Sequence, residues 1–180
     1  VVDDIMGIRE FEEMKVDRYK GHTRAFLKIQ EGCGQFCTYC IIPYARGPIR
    51  SRKPENIISE AKKLADNGFK EIVLTGIHIA SYGRERGDVS LLDIIEKIHG
   101  IDGVERIRLG SIEPTTITDE FVKAVKELYK LCPHYHISLQ SGCDEILKRM
   151  NRRYTINEYK KRVELLKGNI PDVALTTDIM

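Results

Sequence analysis

Three cysteines, Cys33, Cys37 and Cys40, stand in one short stretch with three and then two residues between them. Thiolates in such a group suit a soft metal centre. Gly32 and Gly34 beside them, and Pro43 beyond, make the stretch a loop rather than a helix. A cubane iron–sulfur cluster normally takes four cysteine ligands. A loop that supplies three leaves one iron open to bind something else. A structural zinc site wants four closed ligands. Its fourth would have to come from His22, Cys132, His134, His136 or Cys143, none of which shows paired spacing. A disulfide framework is the poorest account, because five cysteines are odd and the chain opens without a secretory pattern. On spacing alone a cluster leads and zinc stays open.

Composition narrows the setting. The 180 residues are 42% hydrophobic and 31% charged, which fits a globular chain with one core. No apolar run approaches a membrane span, and unpaired cysteines at metal-type spacing suit a reducing cytoplasm. The formal net charge of +2 does not announce a nucleic-acid partner, so any such partner must be argued from local patches. Arg46, Arg50, Arg52 and Lys53 follow the cysteines directly. Lys148, Arg149, Arg152 and Arg153 form a second group. The ordinary account of either group is a solvated face.

The elements that must position these residues alternate between strand and helix. Apolar runs predict strands over 25–29, 71–74, 106–109, 135–139 and 174–180. Pro54 suits the first position of a helix that Gly68 can end in a left-handed conformation. Ser90 and Thr118 are N-cap residues for two more helices. A short helix is expected over 144–150, and Thr155 with Glu158 forms a capping box for the last. This alternation implies parallel strands joined by right-handed crossovers. The expected fold class is α/β, a partial (β/α) barrel with five strands in sequence order in one curved sheet, truncated after about the fifth strand. Residues 1–23 read as a linker or the tail of a preceding domain, and residues 24–180 as the core domain. A start at Val1 without an initiator methionine, and an end on a bare strand, read as the central piece of a longer chain.

Active sites of (β/α) barrels lie at the C-terminal ends of the strands. The cysteine loop, Thr75-Gly76, Ser111–Pro114 and Gln140–Gly142 all follow predicted strand ends. Glu113 and Gln140 are therefore candidates for contact with a cofactor or substrate, and equally for ordinary hydrogen bonding at the barrel mouth. Cys132 and Cys143 have no motif partner and are read as structural thiols.

The loop Cys33-x-x-x-Cys37-x-Tyr39-Cys40 resembles the signature of the radical S-adenosylmethionine (SAM) enzymes. The string GCGQFCTYCIIPYARGPIRSR at 32–52 is similar to one branch, the methylthiotransferases that modify tRNA. LTGIHIASYG, RLGSIEP and HISLQSGCDEILKRMNRRYT match that branch in the same order. The resemblance implies that Cys33, Cys37 and Cys40 ligate a 4Fe–4S cluster whose open iron chelates SAM. An external electron donor would reduce the cluster, and a 5′-deoxyadenosyl radical would take hydrogen from C2 of a tRNA adenine for methylthiolation. Tyr39 would lie beside the SAM adenine. Gly76 would offer backbone carbonyls where many relatives carry a Gly-Gly-Glu motif, which this chain lacks. Glu113 and Gln140 would contact SAM or substrate. Arg46, Arg50, Arg52, Lys53, Arg152 and Arg153 become candidates for tRNA contact.

The segment 37–52 is most similar to enzymes acting on N6-threonylcarbamoyladenosine beside the anticodon. That substituent ends in a carboxylate, which a guanidinium of Arg46, Arg50 or Arg52 could grip in a fork. The alternatives are an N6-isopentenyladenosine substrate, a radical SAM enzyme with a non-RNA substrate, and a non-catalytic metal module. The further cysteine-bearing domain and the small RNA-binding barrel expected of this branch are not in these residues.

Overall fold

The structure is a computed structural model that describes residues 4–13 and 21–180. The remaining residues of the expected 1–23 linker lie outside the described set. Ala25–Glu31 forms β1, and after the cysteine loop come α1 (Ile42–Arg46), β2 (Arg50–Ser51) and α2 (Pro54–Asp66). Then follow β3 (Glu71–Gly76), α3 (Leu91–His99), β4 (Arg106–Leu109), α4 (Asp119–Lys126), β5 (His134–His136), α5 (Asp144–Arg149), α6 (Ile156–Asn169) and β6 (Ala174–Thr176).

β1, β3 and β4 pair in parallel and in sequence order, with β2 added antiparallel at the outer edge of β1. β5 and β6 make a second parallel pair. Isolated parallel bridges, Ile107 to Leu131 and Ile112 to Ile137, join β5 to the edge of β4. The five expected strands are thus mutually parallel. The ladder between the fourth and fifth is reduced to single bridges rather than continuous, and β5 and β6 are shorter than expected. The expected fifth strand ends in a lone bridge from Gln140 to Ile179.

Register explains why the helices settle on one face. Ala25, Ile72 and Ile107 form one row, and Leu27, Leu74 and Leu109 the next. All six are buried, and all but Ala25 belong to one core cluster with Ile57 and Ala61 of α2 and Ile94, Ile95 and Ile98 of α3. Residues of the opposite face alternate with them and are mixed, with Phe26 and Val73 beside the charged Lys28, Glu71, Arg106 and Arg108. Glu71 there accepts from Arg106 at 3.0 Å and from Arg108 at 2.9 Å.

The helix ends follow the sequence signals. Pro54 opens α2, and Gly68 just beyond it takes φ +91°. Ser90 and Thr155 each complete a capping box, with Asp93 and Glu158, and the Thr118 hydroxyl accepts from the Phe121 N–H. α1 and β2 were not expected from the pattern, because five and two residues are too few to show a period.

Residues 4–13 do not hang free of the domain. Glu13 pairs with Arg52, and the guanidinium of Arg52 lies 5.9 Å from the Phe11 ring centroid.

Candidate metal centre and cofactor site

The cysteine loop leaves β1 through Gly32, whose φ is +70°. A Cβ at Gly32 would fall 1.8 Å from the Pro48 carbonyl oxygen, so no side chain fits there. The Cys33 N–H donates to Gly47 at 3.1 Å, closing the base of the loop. The tip is held from the far end of the sequence. The Thr38 N–H and hydroxyl donate to the carbonyls of Met150 and Arg149 at 3.2 and 3.0 Å. The Asn151 amide donates to Gln35 and Phe36. The segment that follows α5 therefore shapes the loop that follows β1.

Cys33, Cys37 and Cys40 line one cavity, together with Tyr39, His78, Glu113 and Arg152. All five cysteines of the chain are free thiols, and Cys132 and Cys143 are not in the wall of this cavity. Among the described residues, no three His, Cys, Asp or Glu side chains converge to hold a single metal ion. A cubane gives each thiolate a different iron, so three thiols spread around one cavity, with no fourth beside them, fit a cluster with one open position. Burial pushes the Cys33 thiol up, so its proton must be displaced by a cation when metal binds.

Beside the thiols lies a buried polar network. Glu113 accepts from Gln35 at 2.8 Å, and its oxygens lie 3.2 Å from His78 Nε2 and 2.9 Å from Arg152 Nη2. Burial alone would raise the Glu113 carboxyl, but His78 and Arg152 outweigh it and hold it below the usual carboxylate range. The two ion-pair distances are short, yet neither His78 Nε2 nor Arg152 Nη2 makes a well-angled hydrogen bond. The cavity thus keeps donor capacity for a polar ligand next to the thiols. Partial burial pushes the Tyr39 phenol up to about 12, so it stays neutral. The residue is 46% exposed and lines the cavity, so a flat ligand could stack on its ring.

The other candidates divide. Gly76 ends β3, where a Cβ would come within 2.9 Å of the Gln30 carbonyl oxygen, and the backbone running from it enters the wall at Ile77 and His78. Gln140 lies outside this wall. It takes φ +70°, donates its N–H to Asp178 and accepts from the Met180 N–H, so its backbone is engaged by the last residues of the chain.

The basic residues are corrected most. Arg50 and Arg52 are not presented as surface contacts for tRNA. Their side chains are 4% and 2% exposed and pair with Glu31, and with Glu13 and Glu60, inside the fold. Arg152 is likewise 7% exposed and belongs to the cavity, where its Nη1 donates to Cys37 Sγ at 3.3 Å. Arg46, Lys53 and Arg153 remain exposed. Cys143 is an exposed residue at the start of α5, not an interior thiol, while Cys132 is half-buried. His78 was missed by sequence reasoning. Its only signal was a polar residue four places beyond the end of a predicted strand.

A parallel half-barrel with three loop cysteines at the C-terminal end of its first strand defines a radical SAM domain. The family model described as "Radical SAM superfamily" matches residues 27–180, and the chain belongs to that superfamily. The three loop thiols and the family together fit a 4Fe–4S cluster that works with SAM. The chain is 46% identical over 180 residues to a threonylcarbamoyladenosine tRNA methylthiotransferase, MtaB, of Bacillus subtilis, covering 99% of this chain and 40% of that protein. It is 48% identical over 181 residues to a tRNA-2-methylthio-N(6)-dimethylallyladenosine synthase of Caldicellulosiruptor saccharolyticus, covering 98% of this chain and 38% of that protein. The chain therefore spans about two fifths of the length of these relatives. Among solved structures, the radical SAM methyltransferase TsrM of Kitasatospora setae superposes with a TM-score of 0.69 at 15% identity, over 87% of this chain and 30% of that one. The cobalamin-dependent radical SAM enzyme OxsB gives 0.67 at 16% identity, over 87% and 24%. At such identities these two speak for the fold alone. Among the described residues, no helix is long and apolar enough to cross a membrane.

Proposed function

We propose that this chain is the catalytic core of a tRNA methylthiotransferase that modifies C2 of N6-threonylcarbamoyladenosine beside the anticodon. The observation that carries the reading is the three-thiol cavity in a chain 42–48% identical to tRNA methylthiotransferases over nearly all of its length. When bound, the cluster and SAM supply one-electron chemistry able to remove hydrogen from an unactivated carbon. The chain's own residues supply position and exclusion of water. Cys33, Cys37 and Cys40 hold the cluster, and Tyr39 faces the mouth where an adenine would stack. Glu113, held ionised, is placed to accept hydrogen bonds from ligand hydroxyl or amino groups.

Support for an RNA partner comes from the surface around the loop. Phe36, Tyr39 and Tyr44 are exposed there, and the rings of Phe36 and Tyr44 meet edge to face at 5.7 Å. Exposed aromatics on the loop and on the short helix that ends in Arg46, with Lys53 and Arg153 also exposed, suit splayed bases and phosphates of a single-stranded loop. Of the three arginines after the loop, Arg46 is the one exposed to meet a substrate carboxylate, its side chain 56% exposed although Nη1 lies 3.8 Å from Glu31.

The second reading is an N6-isopentenyladenosine substrate. It is favoured by the 48% identity to the dimethylallyladenosine synthase and by Ile41 and Tyr44, exposed apolar side chains beside the same loop. The choice of the threonylcarbamoyl substituent rests on the segment 37–52. The test is anaerobic reconstitution with iron and sulfide, then SAM, dithionite and tRNA carrying one or the other modification. Release of 5′-deoxyadenosine and a methylthio product on threonylcarbamoyl tRNA is expected. Product on isopentenyl tRNA alone would overturn the substrate, and no 5′-deoxyadenosine would overturn the radical reading.

A further inference from the structure

Arg152 was a candidate for tRNA phosphate, but its guanidinium is buried against a cluster cysteine. Nη1 donates to Cys37 Sγ at 3.3 Å, Nη2 lies 2.9 Å from Glu113 Oε1, and Nε donates to the Tyr154 hydroxyl at 3.0 Å. That hydroxyl is itself tied to the carbonyls of Ser138 and Leu139 at 2.7 and 2.9 Å. The Tyr154 ring lies under the guanidinium, 5.0 Å from centroid to Cζ. Nε and Nη1 are thus hydrogen-bonded and Nη2 faces the Glu113 carboxylate, so the fork is held by the protein rather than by solvent.

We propose that Arg152 is a positioning residue that sets the reduction potential of the cluster on Cys33, Cys37 and Cys40, with Glu113 as its opposing charge. The proposal rests on the reading of this loop as the cluster site. Reduction adds one electron, taken from a low-potential one-electron donor, and the added negative charge spreads onto the sulfurs. A charged N–H···S bond stabilises that state more than the oxidised one and raises the potential. Burial strengthens the effect, because the low local dielectric leaves the charge unscreened. Glu113 acts in the opposite sense. Its carboxylate lies against Arg152 and in the same cavity as the thiols, so it disfavours added negative charge. The pair lets one site hold its potential low enough for a strong reductant and high enough for a cellular donor to reach.

The experiment compares Arg152→Met, Arg152→Lys and Glu113→Gln with the parent full chain after anaerobic reconstitution. Iron and sulfide content and the cluster's paramagnetic resonance signal are measured during a potentiometric titration with dithionite. With Arg152→Met the midpoint is expected to move to more negative values by roughly a tenfold change in the reduction equilibrium, about 59 mV for one electron. Arg152→Lys should give a smaller shift of the same sign, because it keeps the charge and loses the fork. Glu113→Gln should shift the midpoint the other way. General loosening of the site would move both residues' variants in one direction, so opposite signs separate tuning from packing. If Arg152→Met fails to take up iron, Arg152→Lys and Glu113→Gln carry the sign test. Midpoints that do not move, or that move together, overturn the proposal. Failure of the parent chain to take up a cluster overturns the cluster reading instead.

Discussion

The side chain of Asn151 donates to the carbonyl of Phe36 at 3.0 Å, across a sequence separation of 115 residues. Both residues have left-handed backbones, φ +58° and +50°, in a region most side chains avoid. The same amide also reaches the Gln35 carbonyl at 3.1 Å, so it clamps both peptide units around Phe36. Glycine at 151 would keep the backbone and lose the clamp, whereas alanine would lose the clamp and add strain of about 1 kcal/mol. Both variants should release iron faster from the reconstituted chain than the parent does. Asn151→Ala should also unfold at lower urea than Asn151→Gly. Equal iron retention in parent and both variants would mean that the loop does not depend on this contact.

Replacing Cys33, Cys37 or Cys40 by alanine removes one of three protein ligands, and each variant should lose nearly all reconstituted iron. Cys132 and Cys143 lie outside the cavity wall, and their alanine variants should keep it. Iron and sulfide assays on the five proteins decide the matter. Comparable loss in both groups would refute the ligand assignment.

Arg52 and Arg46 should separate stability from surface function. Arg52 Nη2 lies 2.7 Å from both Glu13 and Glu60, and Arg52→Met would leave the nearly buried Glu60 without its cation. A loss of roughly 3 kcal/mol is expected in urea unfolding. Arg46→Ala, at an exposed position, should change stability by less than about 0.5 kcal/mol. It should instead weaken tRNA binding in a salt-dependent way. An Arg52→Met protein as stable as the parent would contradict the buried-pair account.

Glu71 gives the acid limb of stability. Burial would raise its carboxyl, but hydrogen bonds and charge from Arg108 and Arg106 prevail and hold it below the ordinary value of 4.5. A carboxylate depressed in the folded state contributes stability that is fully present above its unfolded pKa. That contribution is lost as the pH falls through the folded value, hence below about pH 4.5. Both arginines are partly exposed, so solvent screening keeps the contribution near 1 kcal/mol. Glu71→Gln should lower stability at pH 7 and flatten its decline between about pH 5 and 3. Unfolding curves as steep in acid as those of the parent would count against this pairing.

What the sequence determined by itself was local or carried by a contiguous motif. The cysteine spacing, the helix caps at Ser90, Thr118 and Thr155, and the core rows of β1, β3 and β4 are all written within a few residues of where they act. Periodicity registers a strand that buries one full face, which is why Arg106–Leu109 was legible to the residue. It cannot register two residues of β2, or the point where a parallel ladder thins to single bridges, because neither leaves a repeat. Charge was least legible. Arg46, Arg50 and Arg52 read alike in sequence, yet only the fold buries the last two against Glu31 and Glu60 and leaves Arg46, 3.8 Å from the same Glu31, with more than half of its side chain in solvent. The cavity likewise joins residues from five separate loops and strand ends, with His78, Glu113 and Arg152 brought to thiols 38 to 119 positions away in the chain. No local pattern records such neighbours, because the parallel crossovers that bring them together leave each one in its own ordinary loop.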